Sequence, residues 1–215
     1  MIDYVRNNME LILAAFGQHI ALALIPVVIG VIVALPLGYL AVRHDWLYQP
    51  LITVSGVLYS IPSLALFVAL PLIIGTKVLS PLNIIVALAI YTVALMVRSV
   101  ADALRSVDRN VTQAATAMGY RPLKRLFGVD LPIATPVILA GVRVATVSNI
   151  SLVSVGAIIG VGGLGALFTR GLQLRFPEPI IVGIVLSVIL AAVTDSLIVL
   201  AQRYLTPWAR LGGRT

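Results

Sequence analysis

The 215-residue chain has no cysteine, which excludes a disulfide scaffold and thiolate metal sites. Charge is scarce as well. Only 11% of residues are Asp, Glu, Lys or Arg, where an ordinary soluble domain carries about 25%. There is no Gly-x-x-x-x-Gly-Lys-Ser/Thr loop, so the chain cannot cradle ATP in that way. No His-Glu-x-x-His motif or convergent His/Asp cluster points to a metal, and no catalytic constellation points to an enzyme. His19 and His44 fall at the ends of apolar stretches, where interfacial placement accounts for both. No internal repeat, low-complexity tract or soluble domain is apparent. Met1-Ile2-Asp3-Tyr4-Val5-Arg6 has no basic stretch leading into a short apolar run with a cleavage site, so no cleaved signal peptide is expected.

What is present is apolar sequence. Hydrophobic residues make up 60% of the chain and the mean hydropathy is +1.08. A core does not need this much apolar surface; a bilayer does. A spanning helix takes about 20 mostly apolar residues, and five stretches qualify: 20–42, 51–75, 82–103, 136–159 and 178–203. The expected fold is therefore an all-α integral membrane protein with five core spans in a single domain covering 1–215. Leu11 to Gly17 is too short to cross alone and reads as an interfacial helix before the first span. Pro26, Pro36, Pro62 and Pro71 interrupt the spans, as bundles tolerate when neighbours satisfy the freed carbonyls.

Orientation follows from the cations. With the polar loop 104–132 inside, the inner segments hold Arg43, Arg98, Arg105, Arg109, Arg121, Lys124, Arg125, Arg203, Arg210 and Arg214, ten in all. The outer segments hold four, namely Arg6, Lys77, Arg170 and Arg175, while Arg143 lies within a span. This puts the N-terminus outside and the C-terminus inside, as five spans require. It also explains the net charge of +7 without nucleic acid, since the basic residues cluster beside spans.

The loop contains Gln113-Ala114-Ala115-Thr116-Ala117-Met118-Gly119, then nine residues, then Val129-Asp130-Leu131-Pro132. Thr112 or Asn110 can cap a short helix. Alanines at 114, 115 and 117 favour it and give it a slim face. Gly119 can end it in the left-handed conformation. Arg121, Lys124 and Arg125 suit the headgroup level, and Pro136 suits the first turn of the fourth span.

These spacings resemble the cytoplasmic coupling loop of the permease subunits of bacterial binding-protein-dependent (type I) ABC importers, with Gln113 replacing the family's leading Glu. The resemblance assigns Gln113, Ala114, Ala115, Gly119, Leu131 and Pro132 to ATPase docking. Tyr59-Ser60-Ile61-Pro62-Ser63-Leu64-Ala65 is similar to a signature of osmoprotectant permeases, which carry glycine betaine, choline or carnitine. Residues 156–165 with Arg170-Gly171, and Gly141-Val142-Arg143, fit the same family. The family implies two ATPase subunits that bind ATP and Mg, a second permease (identical or homologous), an external substrate-binding protein, and the bacterial cytoplasmic membrane. No cofactor or metal is expected in this chain itself. A methionine permease of the same fold is the nearest alternative; an ATPase-independent secondary transporter is a more distant one.

Several residues are candidates for the gate or path. Tyr59, Ser60, Pro62 and Ser63 come from the second span. Ser148, Ser151 and Ser154 recur every three residues on the fourth, beside Thr146 and Asn149. That polar face either lines the path or bonds between helices. Tyr59 and Tyr91 offer aromatic faces to a quaternary ammonium, which donates no hydrogen bond. Gly156 and Gly160 form a small-xxx-small pair for close helix packing, and Gly160, Gly162, Gly163 and Gly165 make an irregular outer gate. Asp195 lies roughly 12 Å deep in the fifth span, counting 1.5 Å per residue. Arg143 lies at similar depth in the fourth. Each is costly alone, so Asp195 is expected to pair with Arg143 or Arg98 as a structural ion pair.

Overall fold

In a bilayer each backbone N–H and C=O must be bonded within the protein, and an α-helix does so unaided. A computed structural model describes residues 1–210, with side chains to Trp208. Arg214 lies outside the described residues, as does the side chain of Arg210. Among the described residues, four helices are long and apolar enough to cross a membrane, or five if one bent pair counts as a span.

The short helix α1 (Ile2–Asn7) is followed by α2 (Met9–Arg43), 35 residues without a break. The expected interfacial helix at Leu11 to Gly17 is thus the first part of α2. No breaker separates it from the apolar run, and the chain instead breaks at Asn8, whose side-chain amide donates to the Tyr4 carbonyl at 2.9 Å. The second span is also not one helix. α3 (Asp45–Ser60) and α4 (Ser63–Ile74) meet at 101°. Pro62 has no N–H to give and pushes Ile61 into extended backbone, with ψ 130°. The freed Ile61 carbonyl accepts from the Tyr91 hydroxyl at 2.6 Å.

α5 (Pro81–Arg105) is the most enclosed of the long helices, packing on α2, α3, α4 and α8 (Leu131–Gly156). Asn83 at its start is fully buried and donates to the carbonyls of Lys77 at 2.8 Å and Val78 at 3.2 Å, fixing the preceding turn. α6 (Arg109–Ala117) and α7 (Pro122–Arg125) follow, and a π turn at Leu126–Asp130 joins α7 to α8. Counted together, Pro122–Ile159 makes a rod of 38 residues. The fourth span therefore starts well before 136: Pro132 takes the first-turn position, and Pro136 sits inside the helix. A short helix α9 (Gly165–Leu174) precedes α10 (Pro177–Leu205), whose Ile184, Val188, Val193 and Leu197 face outward.

Close approach to α5 depends on glycines at particular heights. A Cβ on Gly38 would lie 2.6 Å from Val100 Cγ1, one on Gly30 would overlap Thr92, and one on Gly141 would overlap Ser99. Gly156 likewise admits Ile84, at 2.8 Å from where its Cβ would be. Gly160 does not share that role. The α-helix has already ended, and Gly160 adopts a left-handed stop with φ 86°, so the expected helix-packing pair with Gly156 does not form.

Gly38→Val should lower the melting temperature of the detergent-solubilised protein, because overpacking a full contact costs about 1–3 kcal/mol. Gly56→Ala, where nothing lies within 4 Å, should leave it unchanged or raise it slightly.

Candidate functional site

The polar loop folds into a compact, capped helix. The Asp108 carboxylate accepts from the Asn110 N–H at 2.7 Å, so Asp108 is the cap, where Asn110 or Thr112 was expected. Thr112 instead donates its hydroxyl to the Arg109 carbonyl at 2.9 Å. Gly119, at φ 84°, ends the helix. The N–H groups of Gly119 and Tyr120 return to the carbonyls of Thr116 at 3.0 Å and Ala115 at 3.1 Å, which closes the end in a Schellman arrangement. The alanines divide between two faces. Ala115 is 2% exposed and turned inward, on a helix that packs on α7 and the π turn, while Gln113, Ala114, Ala117 and Gly119 face out. Beside them stand Met118, 72% exposed, and Phe127, 68% exposed. The sequence reading passed over both, although two large apolar side chains in a polar loop were the available signal.

Arg125 joins this helix to the long rod. Its Nη1 donates to the Thr116 hydroxyl of α6 at 3.1 Å. Its Nε donates to the Asp130 carboxylate at 3.2 Å, one residue before α8. Asp130 is buried, and its other oxygen has no partner among the described residues. A buried carboxylate with one cation depends strongly on that cation. Leu131 and Pro132 follow directly, half-buried at the start of α8. Behind α6, a cavity of about 670 Å³ opens between the ends of α2 and α5; Arg43, Arg109 and Thr112 line it.

A second polar surface lies on α3, α5 and α8. Tyr59 and Tyr91 meet edge to face, 5.9 Å between ring centres at 80°. They border a shallow notch with Thr92, Ser148 and Asn149. Tyr59 also borders a cavity of about 220 Å³ with Ser55 and Arg98. Asn149 only floors the notch: its amide donates to the Thr92 hydroxyl at 3.0 Å and the Ala23 carbonyl at 3.4 Å, tying α8 to α5 and α2. Ser148 and Ser154 are half-buried, and Ser151 is exposed. Ser60 donates to the Val57 carbonyl at 2.7 Å, just before the break at Pro62 that brings Ser63 to the head of α4.

Arg143 donates to both oxygens of Asp195, Nε at 2.6 Å and Nη2 at 2.8 Å, linking α8 to α10. Arg98 pairs elsewhere, at 3.7 Å from Asp102 on its own helix. The bundle end remote from α6 carries the glycine segment. Gly163 and Gly165 are buried, Gly162 is half-buried and Gly160 is exposed. His19 does not sit at an interface as expected: it is 0% exposed and contacts this segment. α2 begins earlier than the hydropathy run suggests, which carries His19 into the bundle.

Long apolar helices around a buried α5, with one capped helix between two of them in the chain, define a multi-pass membrane protein. The family described as "Binding-protein-dependent transport system inner membrane component" matches residues 26–210, and the chain belongs to that family. It is 35% identical to the osmoprotectant import permease protein OsmW of Salmonella typhimurium, covering 96% of this chain and 97% of that one. It is 34% identical to the choline transport system permease protein OpuBB of Bacillus subtilis, covering 96% and 94%. The backbone matches a chain in the structure titled "Inward facing conformations of the MetNI methionine ABC transporter" with a TM-score of 0.85. That match has 23% identity and covers 93% of this chain and 98% of the other. It identifies the fold as that of a type I ABC importer permease.

Arg125→Ala should free α6 from α8 and expose an unpaired buried Asp130. Hydrogen exchange of the 112–119 amides should quicken about tenfold or more, as loss of a charged hydrogen bond of about 1.5–3 kcal/mol implies. Arg143→Leu alone should destabilise the protein more than Arg143→Leu with Asp195→Leu, because the single change strands a carboxylate. Melting of the three purified proteins checks this.

Proposed function

We propose that this chain is a permease subunit that carries a quaternary ammonium osmoprotectant, of the glycine betaine, choline or carnitine type, into the cell. ATP is hydrolysed on a separate ATPase, present in two copies, and a second permease and an external binding protein complete the importer. The chain lies in the bacterial cytoplasmic membrane with its N-terminus outside and its C-terminus inside, in keeping with ten cations against four on the two sides.

The observation that carries this reading is the exposed, doubly capped α6 between two spans, in a chain whose relatives are named as osmoprotectant and choline permeases. A helix closed at both ends moves as a body. Pushed by an ATPase against Gln113, Ala114, Met118 and Phe127, it transmits displacement through Arg125 to Asp130 and so to the base of α8. The same rod carries Ser148 and Ser151 at mid-height and the glycine segment at its far end. Arg143 and Asp195 make α10 follow it. Gln113 meets the ATPase as an amide that can both donate and accept.

For the solute, the chemistry is aromatic rather than ionic. A methylated ammonium offers no N–H and is attracted to ring faces. Tyr59 is half-exposed beside Tyr91, with the Ser148 hydroxyl adjacent, which suits weak contact in transit. Tight selection belongs to the external binding protein.

Uptake of labelled glycine betaine, choline, carnitine and methionine, in cells lacking the chain and cells with it restored, tests the reading. Restored quaternary amine uptake is expected, higher at raised osmolarity. Gly119→Val, with expression unchanged, should reduce it more than tenfold, since valine is strained at φ 84°. Restoration of methionine uptake alone would overturn the solute assignment and keep the importer.

A further inference from the structure

Residues 162–164 are irregular backbone, and yet they are not free. The Gly163 N–H donates to Gln18 Oε1 at 3.0 Å, and the Leu164 N–H donates to His19 Nδ1 at 3.1 Å. Because a backbone N–H can only donate, Nδ1 is the unprotonated nitrogen. The proton is then on Nε2, which donates to the Ile150 carbonyl of α8 at 3.0 Å. His19 is thus a neutral ring with both nitrogens occupied, joining α2, α8 and the segment between α8 and α9. A fully buried imidazole without partners would be costly.

The glycines match these two side chains. A Cβ on Gly162 would overlap the Gln18 amide. One on Gly163 would lie 3.1 Å from His19 Nδ1 and 3.3 Å from Val153 Cγ1, and Gly163 has φ 74° besides. Glycine at these positions is therefore what lets two polar side chains of α2 reach the backbone. Val161 and Leu164 are buried on either side, so the segment is anchored by packing as well.

We propose that Gln18 and His19 are positioning residues for transport: they latch residues 162–164 to α2, so that the outer gate and the outer half of α2 move as one body. The proposal rests on the reading of the glycine segment as an outer gate. Without the latch the segment would be held by packing alone and would follow displacement of α8 less fully. Gln18 is exposed apart from its amide, so its replacement removes one hydrogen bond and little core, whereas His19 fills the core. The test therefore turns on Gln18.

The assembled transporter, with its ATPase, second permease and binding protein, is reconstituted in proteoliposomes. A single cysteine is placed at Ile158, which is 65% exposed, and spin-labelled; the chain has no other cysteine. In Gln18→Leu the label should become more mobile, and uptake of labelled choline should fall about tenfold. Melting temperature should fall only slightly, as loss of one hydrogen bond implies, and ATP hydrolysis without binding protein should stay at the wild-type value. Gln18→Glu keeps an acceptor oxygen and should restore both mobility and uptake to within twofold. Unchanged mobility in Gln18→Leu would overturn the latch. Raised mobility with unchanged uptake would overturn its role in transport. A fall in uptake that tracks melting temperature, or that Gln18→Glu does not rescue, would reduce it to packing. Gly163→Ala separates the two readings. If it abolishes uptake while Gln18→Leu does not, the gate stands and the latch fails; if neither affects uptake, the gate reading fails too.

Discussion

A polar group inside a bilayer has no water to turn to, and most irregular features of this protein sit beside a side chain that answers that need. The break at Pro62 frees the Ile61 carbonyl, and Tyr91 reaches across from α5 to bond it. Asn149 donates to Thr92 and to the Ala23 carbonyl in the middle of three packed helices. Asp195 receives both forks of Arg143. The glycine segment, which has no helix of its own, is bonded by Gln18 and His19. Satisfied in this way, bends and loops become fixed features of the bundle rather than weak points.

The same requirement concentrates mechanical connections on α8. Through the π turn at Leu126–Asp130 it continues α7, and Asp130 at its base holds Arg125. Further along come Arg143, Ser148, the Ile150 carbonyl that His19 uses, and finally the glycines. A stiff element with bonded contacts at both ends is a means of carrying displacement through a membrane without a continuous polar path. In the importer reading, that is what joins ATP hydrolysis on one side to a gate on the other. α10, apolar on its outward face, packs on α8 and α9 and is tied to α8 by the Arg143–Asp195 pair.

Much of this was legible in residue order. Apolar runs of about 20 residues marked the spans, and Gly119, separated from Val129 by nine residues, marked the end of the loop helix and the family. Other features were not. Asp108 outcompetes Asn110 and Thr112 as the cap because only its carboxylate precedes the first helical turn in extended geometry, with ψ 131°. Ala115 looks like its neighbours in sequence and yet is buried, since successive residues of a helix point about 100° apart. α9 was missed although Leu164, Leu167 and Gly171 recur at helical spacing, because the glycines before it suggested only a loop. Arg125 read as a headgroup cation, and nothing near it in sequence announced Thr116 as a partner.

By itself, then, the sequence determined what depends on composition and short spacing: membrane residence, the number of apolar runs, the capped helix with its glycine stop, and the family. These are local, since hydropathy and backbone propensity act over a few turns. Only the tertiary structure decided which partner each polar group found. Gln18 and His19 lie 145 residues from the N–H groups they accept, and Arg143 lies 52 from Asp195. Such pairs are chosen by helix packing: the glycines at 30, 38 and 141 set how closely α2 and α8 approach α5, and so which side chains come within reach.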